Sequence, residues 1–218
     1  MVQKGKFIVL EGLDGSGSTT QLNLLNQWFL QNRKIYGSHW STFEPTDGPI
    51  GCLIRLTLKK RLPAFDEATM ALLFAADRCD HLFRDTSGGK EDGIEAKLNS
   101  GVHVLCDRYV LSSLAYQARA MGLEWVSQIN HQAIAPDLTI FIDTDASIAG
   151  ERISNNRTHQ DLYEDLHEQR LIQNQYYEAM AYLKNQGQKI VTVNGQQSQI
   201  QVHDDIVKAV ITLIQNKS

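Results

Sequence analysis

The residues best suited to chemistry form a glycine-rich turn near the N-terminus. The apolar run Phe7–Leu10 predicts a buried parallel strand, glycines follow at positions 12, 15 and 17, and a helical pattern begins at Thr19. A strand that passes through a glycine loop into a helix turns backbone N–H groups and the helix N-terminus toward a phosphate chain. The turn therefore predicts a phosphate-binding loop, with a tight turn that binds nothing as the alternative.

The spacing of this turn fits the motif G-x-x-x-x-G-K-[ST], with one departure. Gly12, Gly17 and Thr19 match, but Ser18 occupies the position of the lysine. Thr19 stands where the motif places a hydroxyl that binds magnesium. This placement favours phosphate binding over a bare turn, although the loop lacks its usual cation.

A second candidate group follows another predicted strand. The run Val102–Cys106 is apolar enough for a buried strand, and it ends in Asp107 and Arg108. Ligands of open α/β sheets bind in the crevice beyond the carboxyl ends of the strands. This charged pair is therefore a candidate for ligand binding, with a structural salt bridge at a strand end as the alternative.

A third candidate group lies on a helix predicted from Glu67 to about Arg84, with Asp66 as its N-cap. Phe74 and Arg78 are four residues apart, so they share one helix face. An aromatic face beside a guanidinium can read a flat base with acceptor edges. The alternative is that Phe74 simply belongs to the core.

The elements that position these groups alternate along the chain. Five strands interspersed with helices predict an α/β fold: one doubly wound domain over residues 1–218, with a parallel sheet covered by helices on both faces. Asp143 and Asp145 are expected to cap the helix after the fourth strand. The predicted strands are Phe7–Leu10, Ile35–Phe43, Val102–Cys106, Leu138–Ile142 and Lys189–Val193; the helices are Thr19 to about Arg33, Ile50–Lys60, Glu67–Arg84, Ile94–Leu98, Leu111–Met121, Trp125–Ile134, the stretch up to Ile153, Leu162–Leu183 and Ile200–Ile214.

Composition excludes several classes of protein. The 218 residues carry a net charge of −4, which argues against a nonspecific nucleic-acid binder because such proteins need a basic surface. No apolar segment approaches the roughly 20 residues of a membrane span, and Met1–Lys6 is too short for a signal peptide. The three cysteines are odd in number and lack metal-ligand spacing. We therefore expect a cytoplasmic protein without a membrane or nucleic-acid partner.

Taken together, the motifs resemble the thymidylate kinase family. The resemblance runs from about Lys6 to about Tyr177. It rests on the stretch from Phe7 to Gln21, on Leu73–Arg78, on Asp107-Arg108-Tyr109 with Ser112–Gln117, and on Pro136–Asp143. It implies a P-loop fold with a small mobile lid at about residues 152–161. It also implies transfer of the γ-phosphoryl group of ATP to dTMP with Mg²⁺ as cofactor, in dTTP biosynthesis, usually by a homodimer.

The resemblance also implies roles around the glycine loop. Thr19 and Asp107 would hold Mg²⁺ or its waters, Arg108 would clamp the acceptor phosphate, and Asp14 would face the sugar and phosphate of the acceptor. Asp14 and Arg108 are thus expected among the catalytic residues. The ATP phosphates would be wrapped by Gly12, Leu13, Asp14, Gly15, Ser16, Gly17, Ser18 and Thr19.

For the acceptor nucleoside, the resemblance implies that Phe74 stacks on thymine and that Arg78 hydrogen-bonds a carbonyl oxygen of the base. Tyr116 would crowd a ribose 2′-OH. Arg55 would reach the acceptor phosphate, with an exposed helix arginine as the alternative. The deoxynucleoside would also be lined by Ser112, Ser113 and Gln117.

The departure at Ser18 shifts attention to the lid. Ser18 can donate one hydrogen bond but carries no charge, and Gly15 stands where some members of the family have an arginine. Members that lack this arginine use basic residues in the lid. Arg152 and Arg157 match that region and are the remaining catalytic candidates, with a solvated surface as the alternative for both.

Two rival functions stay open at this point. Ser18 is compatible with a catalytically impaired nucleotide-binding protein that serves as a regulator or assembly partner. A kinase of a related nucleoside monophosphate, or of a deoxynucleoside, would share most of the motifs. The intact group of acceptor residues favours an active dTMP kinase.

Overall fold

All five apolar runs form strands of one parallel sheet. The structure, a computed structural model, describes residues 3–84, 92–156 and 165–215. The strands lie in the order β2-β3-β1-β4-β5, and each neighbouring pair is parallel. They are β1 (Phe7–Gly12), β2 (His39–Phe43), β3 (His103–Asp107), β4 (Leu138–Asp143) and β5 (Ile190–Asn194).

Helices connect the strands, and the predicted α/β fold is confirmed. In chain order they are α1 (Ser18–Gln31), α2 (Arg33–Tyr36), α3 (Pro49–Leu58), α4 (Glu67–Phe83), α5 (Ile94–Asn99), α6 (Val110–Met121), α7 (Leu123–Ile129), α8 (Ala146–Asn156), α9 (Leu166–Asn185) and α10 (Gln199–Gln215).

The central strand β1 buries side chains on both faces of the sheet. Ile8 and Leu10 pack in a cluster with apolar residues of α1 and α10. Phe7 and Val9 belong to a second cluster that includes side chains of α4 and α5. Successive strand residues point to opposite faces, so a run that is apolar throughout is the pattern of a strand covered on both sides.

The strand order places β1 at the point where the sheet changes direction. The chain first builds outward from β1 to β2 and returns to β3, and it then crosses to β4 on the other side. Leu10 pairs with Asp107 and Gly12 with Ile142, so the C-terminal ends of β1, β3 and β4 meet at one edge. This edge is the place where doubly wound sheets bind ligands, and the glycine loop begins there.

Three predicted boundaries were wrong. The second strand begins at His39 rather than Ile35, because Arg33–Tyr36 form a short helix that ends at Gly37 with φ +86°. Helix α7 ends at Ile129 rather than Ile134. Just beyond this end, the side-chain amide nitrogen of Asn130 donates to the backbone carbonyl of Val126. Helix α8 extends to Asn156 rather than ending at Ile153.

The predicted N-cap of α4 is confirmed, whereas only one of the two residues predicted to cap α8 does so. The Asp66 carboxylate accepts from the backbone N–H of Thr69, as expected for the N-cap of α4. At α8 the capping contact comes from Asp145, which accepts from the N–H of Ser147. Asp143 instead ends β4 and accepts from the Tyr177 hydroxyl.

The predicted lid falls partly outside the described residues. Arg152 and the residues up to Asn156 belong to α8, whereas residues 157–161, including Arg157, lie outside. Within 3–84, 92–156 and 165–215, no helix has both the length and the apolarity to cross a membrane.

Candidate active site

The glycine loop is held in shape by conformation and by packing. Gly15 and Gly17 have φ values of +81° and +96°, which residues other than glycine rarely adopt. A Cβ at Gly15 would lie 2.3 Å from the carbonyl oxygen of Ala149 in α8. The loop closes on itself where the N–H of Ser16 donates to the carbonyl of Leu13 at 3.0 Å. Gly17 leads directly into α1, whose N-terminus favours an anion.

A pair of oxygen ligands lies at the start of α1. Thr19 Oγ1 donates to Asp107 Oδ2 at 2.5 Å. Asp107 Oδ1 is buried and has no hydrogen-bond partner in the described part of the chain. A hydroxyl and a carboxylate are ligands that suit Mg²⁺, which prefers oxygen and is held by one or two protein groups together with phosphates. The residues that the sequence suggested for this metal therefore fit it.

Ser18 has a short, uncharged side chain. Its side chain is only 6% exposed, and a neutral hydroxyl cannot replace the ammonium of the motif. The guanidinium of Arg152 approaches the loop instead: it donates to the carbonyl oxygens of Ser16 at 3.4 Å and of Gly195 at 3.1 Å. The structure thus places the guanidinium of Arg152 beside the glycine loop.

Arg108 is the centre of a polar network beside the loop. Its Nη2 forms an ion pair with Asp14 Oδ1 at 2.7 Å. Its Nη1 donates to Ser112 Oγ at 3.1 Å, to the Tyr176 hydroxyl at 3.2 Å and to the Tyr116 hydroxyl at 3.4 Å. Burial disfavours the charged guanidinium, but Tyr116 and Asp14 outweigh it and hold the pKa of Arg108 well above its usual range.

Tyr116 completes the connection between the network and the loop. Its hydroxyl donates to Asp14 Oδ2 at 3.2 Å, and its ring centroid lies 5.4 Å from the Arg108 guanidinium carbon. Asp14, Arg108 and Tyr116 therefore form a closed triangle of contacts. The structure brings these three predicted site residues together with Ser112.

Arg78 is buried in a separate cluster of polar side chains. It is 2% exposed and forms an ion pair with Glu44 at 2.7 Å. Its Nη1 donates to Ser113 Oγ at 3.1 Å and to Asn130 Oδ1, and its guanidinium carbon lies 5.0 Å from the ring centroid of Tyr109. The buried Nε–H has no hydrogen-bond partner among the described residues.

The loop after β2 is tied to α4 beside Arg78. Glu44 Oε1 contacts His81 Nδ1 at 3.0 Å. The buried carboxylate of Asp77 accepts from the backbone N–H of Thr46 at 2.7 Å and from its hydroxyl at 2.6 Å. This arrangement fixes the chain between Glu44 and Thr46 against the helix that carries Phe74, whose side chain is half-buried.

Two other predicted acceptor residues are placed differently. Arg55 donates to the carbonyl of Pro45 at 2.6 Å and to Asp47 at 2.7 Å, so in this structure it braces the loop after β2. Gln117 is buried in α6, and its Oε1 has no hydrogen-bond partner within the described chain. An unpartnered buried acceptor is unusual in folded proteins.

Two residues of the site were missed by the sequence reasoning. Glu11, in β1, is fully buried, and burial raises its pKa from 4.5 to about 7 against the opposing effects of Ser112 and Arg108. A single charge inside an apolar strand was the available signal for Glu11. Tyr176, in α9, bonds the carbonyl of Gly12 at 3.0 Å as well as Arg108. No motif surrounds Tyr176, so only the fold reveals it.

Comparison with known proteins identifies the relatives of this chain. A family model described as thymidylate kinase matches residues 10–206. A probable thymidylate kinase of Pyrococcus abyssi is 39% identical over 217 residues, covering 95% of this chain and 96% of the relative. One from Methanococcus maripaludis is 35% identical over 217 residues, with 96% of each chain covered. A putative thymidylate kinase of Treponema pallidum is 39% identical over 158 residues, covering 72% and 71%.

Proposed function

The chain belongs to the thymidylate kinase family, and on that premise we propose that it transfers the γ-phosphoryl group of ATP to dTMP, giving ADP and dTDP. The observation that carries the proposal is the contact network of Arg108 with Asp14, Ser112 and Tyr116 beside the glycine loop. A cation held this close to a phosphate-binding loop suits an acceptor phosphate that must lie in line with the donor phosphate.

On the acceptor side, each residue has one task in the proposed reaction. Arg108 binds the acceptor phosphate. Asp14, which pairs with Arg108 and accepts from the Tyr116 hydroxyl, orients that end of the nucleotide. Phe74 stacks on the base while Arg78 donates to a carbonyl of the base, with Ser113 beside Arg78. Ser112, Gln117 and Arg55 complete the proposed binding site.

On the donor side, the loop Gly12–Thr19 binds the ATP phosphates through backbone N–H groups and the N-terminus of α1. Thr19 and Asp107 hold Mg²⁺, which neutralises charge on the phosphate oxygens when bound. Ser18 leaves the transferring group without a lysine. We propose that Arg152 and Arg157 supply the missing positive charge, with Arg157 as the larger contributor.

Family membership supports three further proposals about the protein as a whole. It acts as a homodimer, it works in the cytoplasm, and residues 1–218 form one domain with a lid at about residues 152–161. Analytical ultracentrifugation would measure the oligomeric state. A monomer at micromolar concentration would contradict the dimer.

The test of the proposed function is ADP release by the purified protein with dTMP, ATP and Mg²⁺. We expect turnover with dTMP and much weaker turnover with dUMP, UMP and thymidine. If no dTDP forms at high enzyme concentration while dTMP still binds by calorimetry, the protein is a nucleotide-binding protein without turnover. A higher kcat/KM with another acceptor would identify a different kinase.

A further inference from the structure

The buried carboxylate of Glu11 is bonded entirely to the segment that carries Arg108. Glu11 Oε1 accepts from the backbone N–H groups of Tyr109 at 2.8 Å and Ser112 at 3.1 Å. Glu11 Oε2 accepts from Ser112 Oγ at 2.5 Å. One carboxylate on β1 therefore receives three hydrogen bonds from the first turn of α6 and the residue before it.

These bonds cap a helix that does not cap itself. Tyr109 is the N-cap residue of α6, and the described residues show no side-chain capping bond from it. The first N–H groups of a helix need acceptors, and negative charge is favourable at that end. Glu11 supplies both from the neighbouring strand, so the start of α6 is fixed to β1.

The same bonds fix an unusual backbone conformation. Arg108 has φ +68°, in the left-handed region that residues other than glycine seldom occupy. On one side, its own N–H donates to the carbonyl of Leu10 at 2.9 Å. On the other side, the N–H of Tyr109 is held by Glu11. Arg108 is thus pinned from both sides by two consecutive residues of β1.

Ser112 links Glu11 to the guanidinium itself. A hydroxyl has one proton to donate and lone pairs that accept. Because Ser112 gives its proton to the Glu11 carboxylate, its oxygen is left to accept from Arg108 Nη1 at 3.1 Å. When Glu11 is ionised, it therefore sets the direction of the hydrogen bond that Ser112 makes with Arg108.

We infer that Glu11 is a positioning residue for phosphoryl transfer: it holds Arg108 in place for the acceptor phosphate, through the backbone of Tyr109 and through the Ser112 hydroxyl. The inference rests on the proposed role of Arg108. The carboxylate of Glu11 accepts from Tyr109 and Ser112, so its proposed effect on the reaction passes through Arg108.

The test is the variant Glu11→Gln. Its amide oxygen can still cap the N–H groups of α6, but its NH₂ group donates toward Ser112 Oγ, where it competes with Arg108. Displaced catalytic groups cost up to about 10²-fold in rate, so we expect kcat/KM for dTMP to fall by about 10-fold to 10²-fold. The KM for ATP should stay within about 2-fold, since Glu11 accepts from Tyr109 and Ser112 and not from the backbone N–H groups of the glycine loop.

Asp137→Asn is the matched control. Asp137 is also a carboxylate that accepts a backbone N–H of β1, from Phe7 at 2.8 Å, but at the other end of the strand. We expect unchanged kinetic constants for both substrates. Equal losses in the two variants would mean that any disturbance of β1 impairs the enzyme, which would overturn the inference.

A double-mutant cycle shows whether Glu11 acts through Arg108. Calorimetric Kd values for dTMP are compared for wild type, Glu11→Gln, Arg108→Ala and the double variant. We expect Glu11→Gln to weaken dTMP binding about 10-fold when Arg108 is present, and less than about 2-fold in the Arg108→Ala background. Full additivity would refute the inference.

The experiment also covers a variant that does not fold, and it distinguishes failure of this inference from failure of the proposed function. Should Glu11→Gln fail to fold, Glu11→Asp takes its place, because it keeps the charge and withdraws the carboxylate by one methylene; a loss equal for dTMP and ATP would then contradict the inference. Wild-type protein without dTMP kinase activity would refute the proposed function. An active wild type with an unimpaired Glu11→Gln would refute this inference alone.

Discussion

The acceptor and donor halves of the site differ in how they hold positive charge. On the proposed acceptor side, Arg108 is half-buried and Arg78 is fully buried, and each forms an ion pair with a carboxylate at 2.7 Å, Asp14 and Glu44 respectively. The glycine loop, proposed to bind the donor phosphates through backbone N–H groups, has Ser18 in place of the motif lysine. Arg152 reaches that loop at the carbonyl oxygen of Ser16.

This difference indicates two ways of supplying the same electrostatic stabilisation. Charges that are fixed before the substrate arrives need no reorganisation during the reaction. Charges delivered by a closing segment act mainly once the donor is bound, and so they appear in kcat more than in KM. We interpret the acceptor half as preorganised and the donor half as completed by arginines at and beyond the end of α8.

The strongest test of the preorganised half is Arg108→Ala. It removes the cation that the acceptor phosphate would meet and leaves Asp14 without its ion pair. We expect kcat/KM for dTMP to fall by about 10³-fold, in line with other groups that stabilise transition-state charge. The control is Arg119→Ala, which breaks an ion pair between Arg119 in α6 and Glu168 in α9. Steady-state kinetics with dTMP as the varied substrate measure both; comparable losses would deny Arg108 a special role.

The test of the completed half is Arg157→Ala. We expect kcat to fall by at least roughly 10²-fold with little change in the KM for ATP, by analogy with arginines that reach the transferring phosphoryl group. Arg152→Ala should cost less if Arg157 is the main contributor of the missing charge. If Arg152→Ala abolishes activity while Arg157→Ala retains kcat within a few-fold, the two roles are exchanged.

The role of Glu11 can be tested through the pH dependence of stability. Its pKa is about 7 in the folded protein, compared with 4.5 for an unperturbed glutamate. The folded state binds this proton more tightly, so stability is highest at low pH and falls as pH rises from 4.5 through 7. Relative to Glu11→Gln, the free energy of unfolding of wild type should fall by about 2–3 kcal/mol between pH 5 and pH 8. Urea titrations of both proteins measure the difference. A pH-independent difference would mean that Glu11 titrates normally.

The smallest expected effect concerns the sugar. Tyr116→Ala should narrow the ratio of kcat/KM between dTMP and its ribo counterpart by about 10-fold, because the ring excludes a 2′-OH. Tyr116→Phe keeps the ring and removes the hydroxyl that contacts Asp14 and Arg108, so it should preserve the ratio. An unchanged ratio in the alanine variant would show that the sugar is read elsewhere.

Local patterns were predicted well, and long-range pairings were not. The five strands, the N-cap at Asp66 and the glycine loop depend on neighbouring residues, so the sequence displays them directly. Glu11 meets Tyr109 across 98 positions, and Tyr176 meets Gly12 across 164. Nothing near either residue indicates such a partner, because strand order and helix packing decide it.

The proposed base pocket shows the same limit. The sequence places Phe74 and Arg78 on one helix face, and the helix is confirmed. Asn130 and Glu44, which hold Arg78, come from separate loops that only the folded sheet brings together. Their roles could not be predicted, since a polar residue in a loop is ordinarily exposed to solvent.

The pairing of Arg78 has a consequence for which bases the pocket would refuse. A guanidinium has donors and no acceptor. Its two terminal nitrogens already face Glu44, Ser113 and Asn130, and the buried Nε–H has no partner among the described residues. A base that brings a carbonyl to this guanidinium would satisfy a donor, whereas the amino group of cytosine would set donor against donor. Leaving a buried donor unsatisfied costs about 1–3 kcal/mol, so cytidine nucleotides would be rejected by hydrogen-bond polarity even where their shape fits.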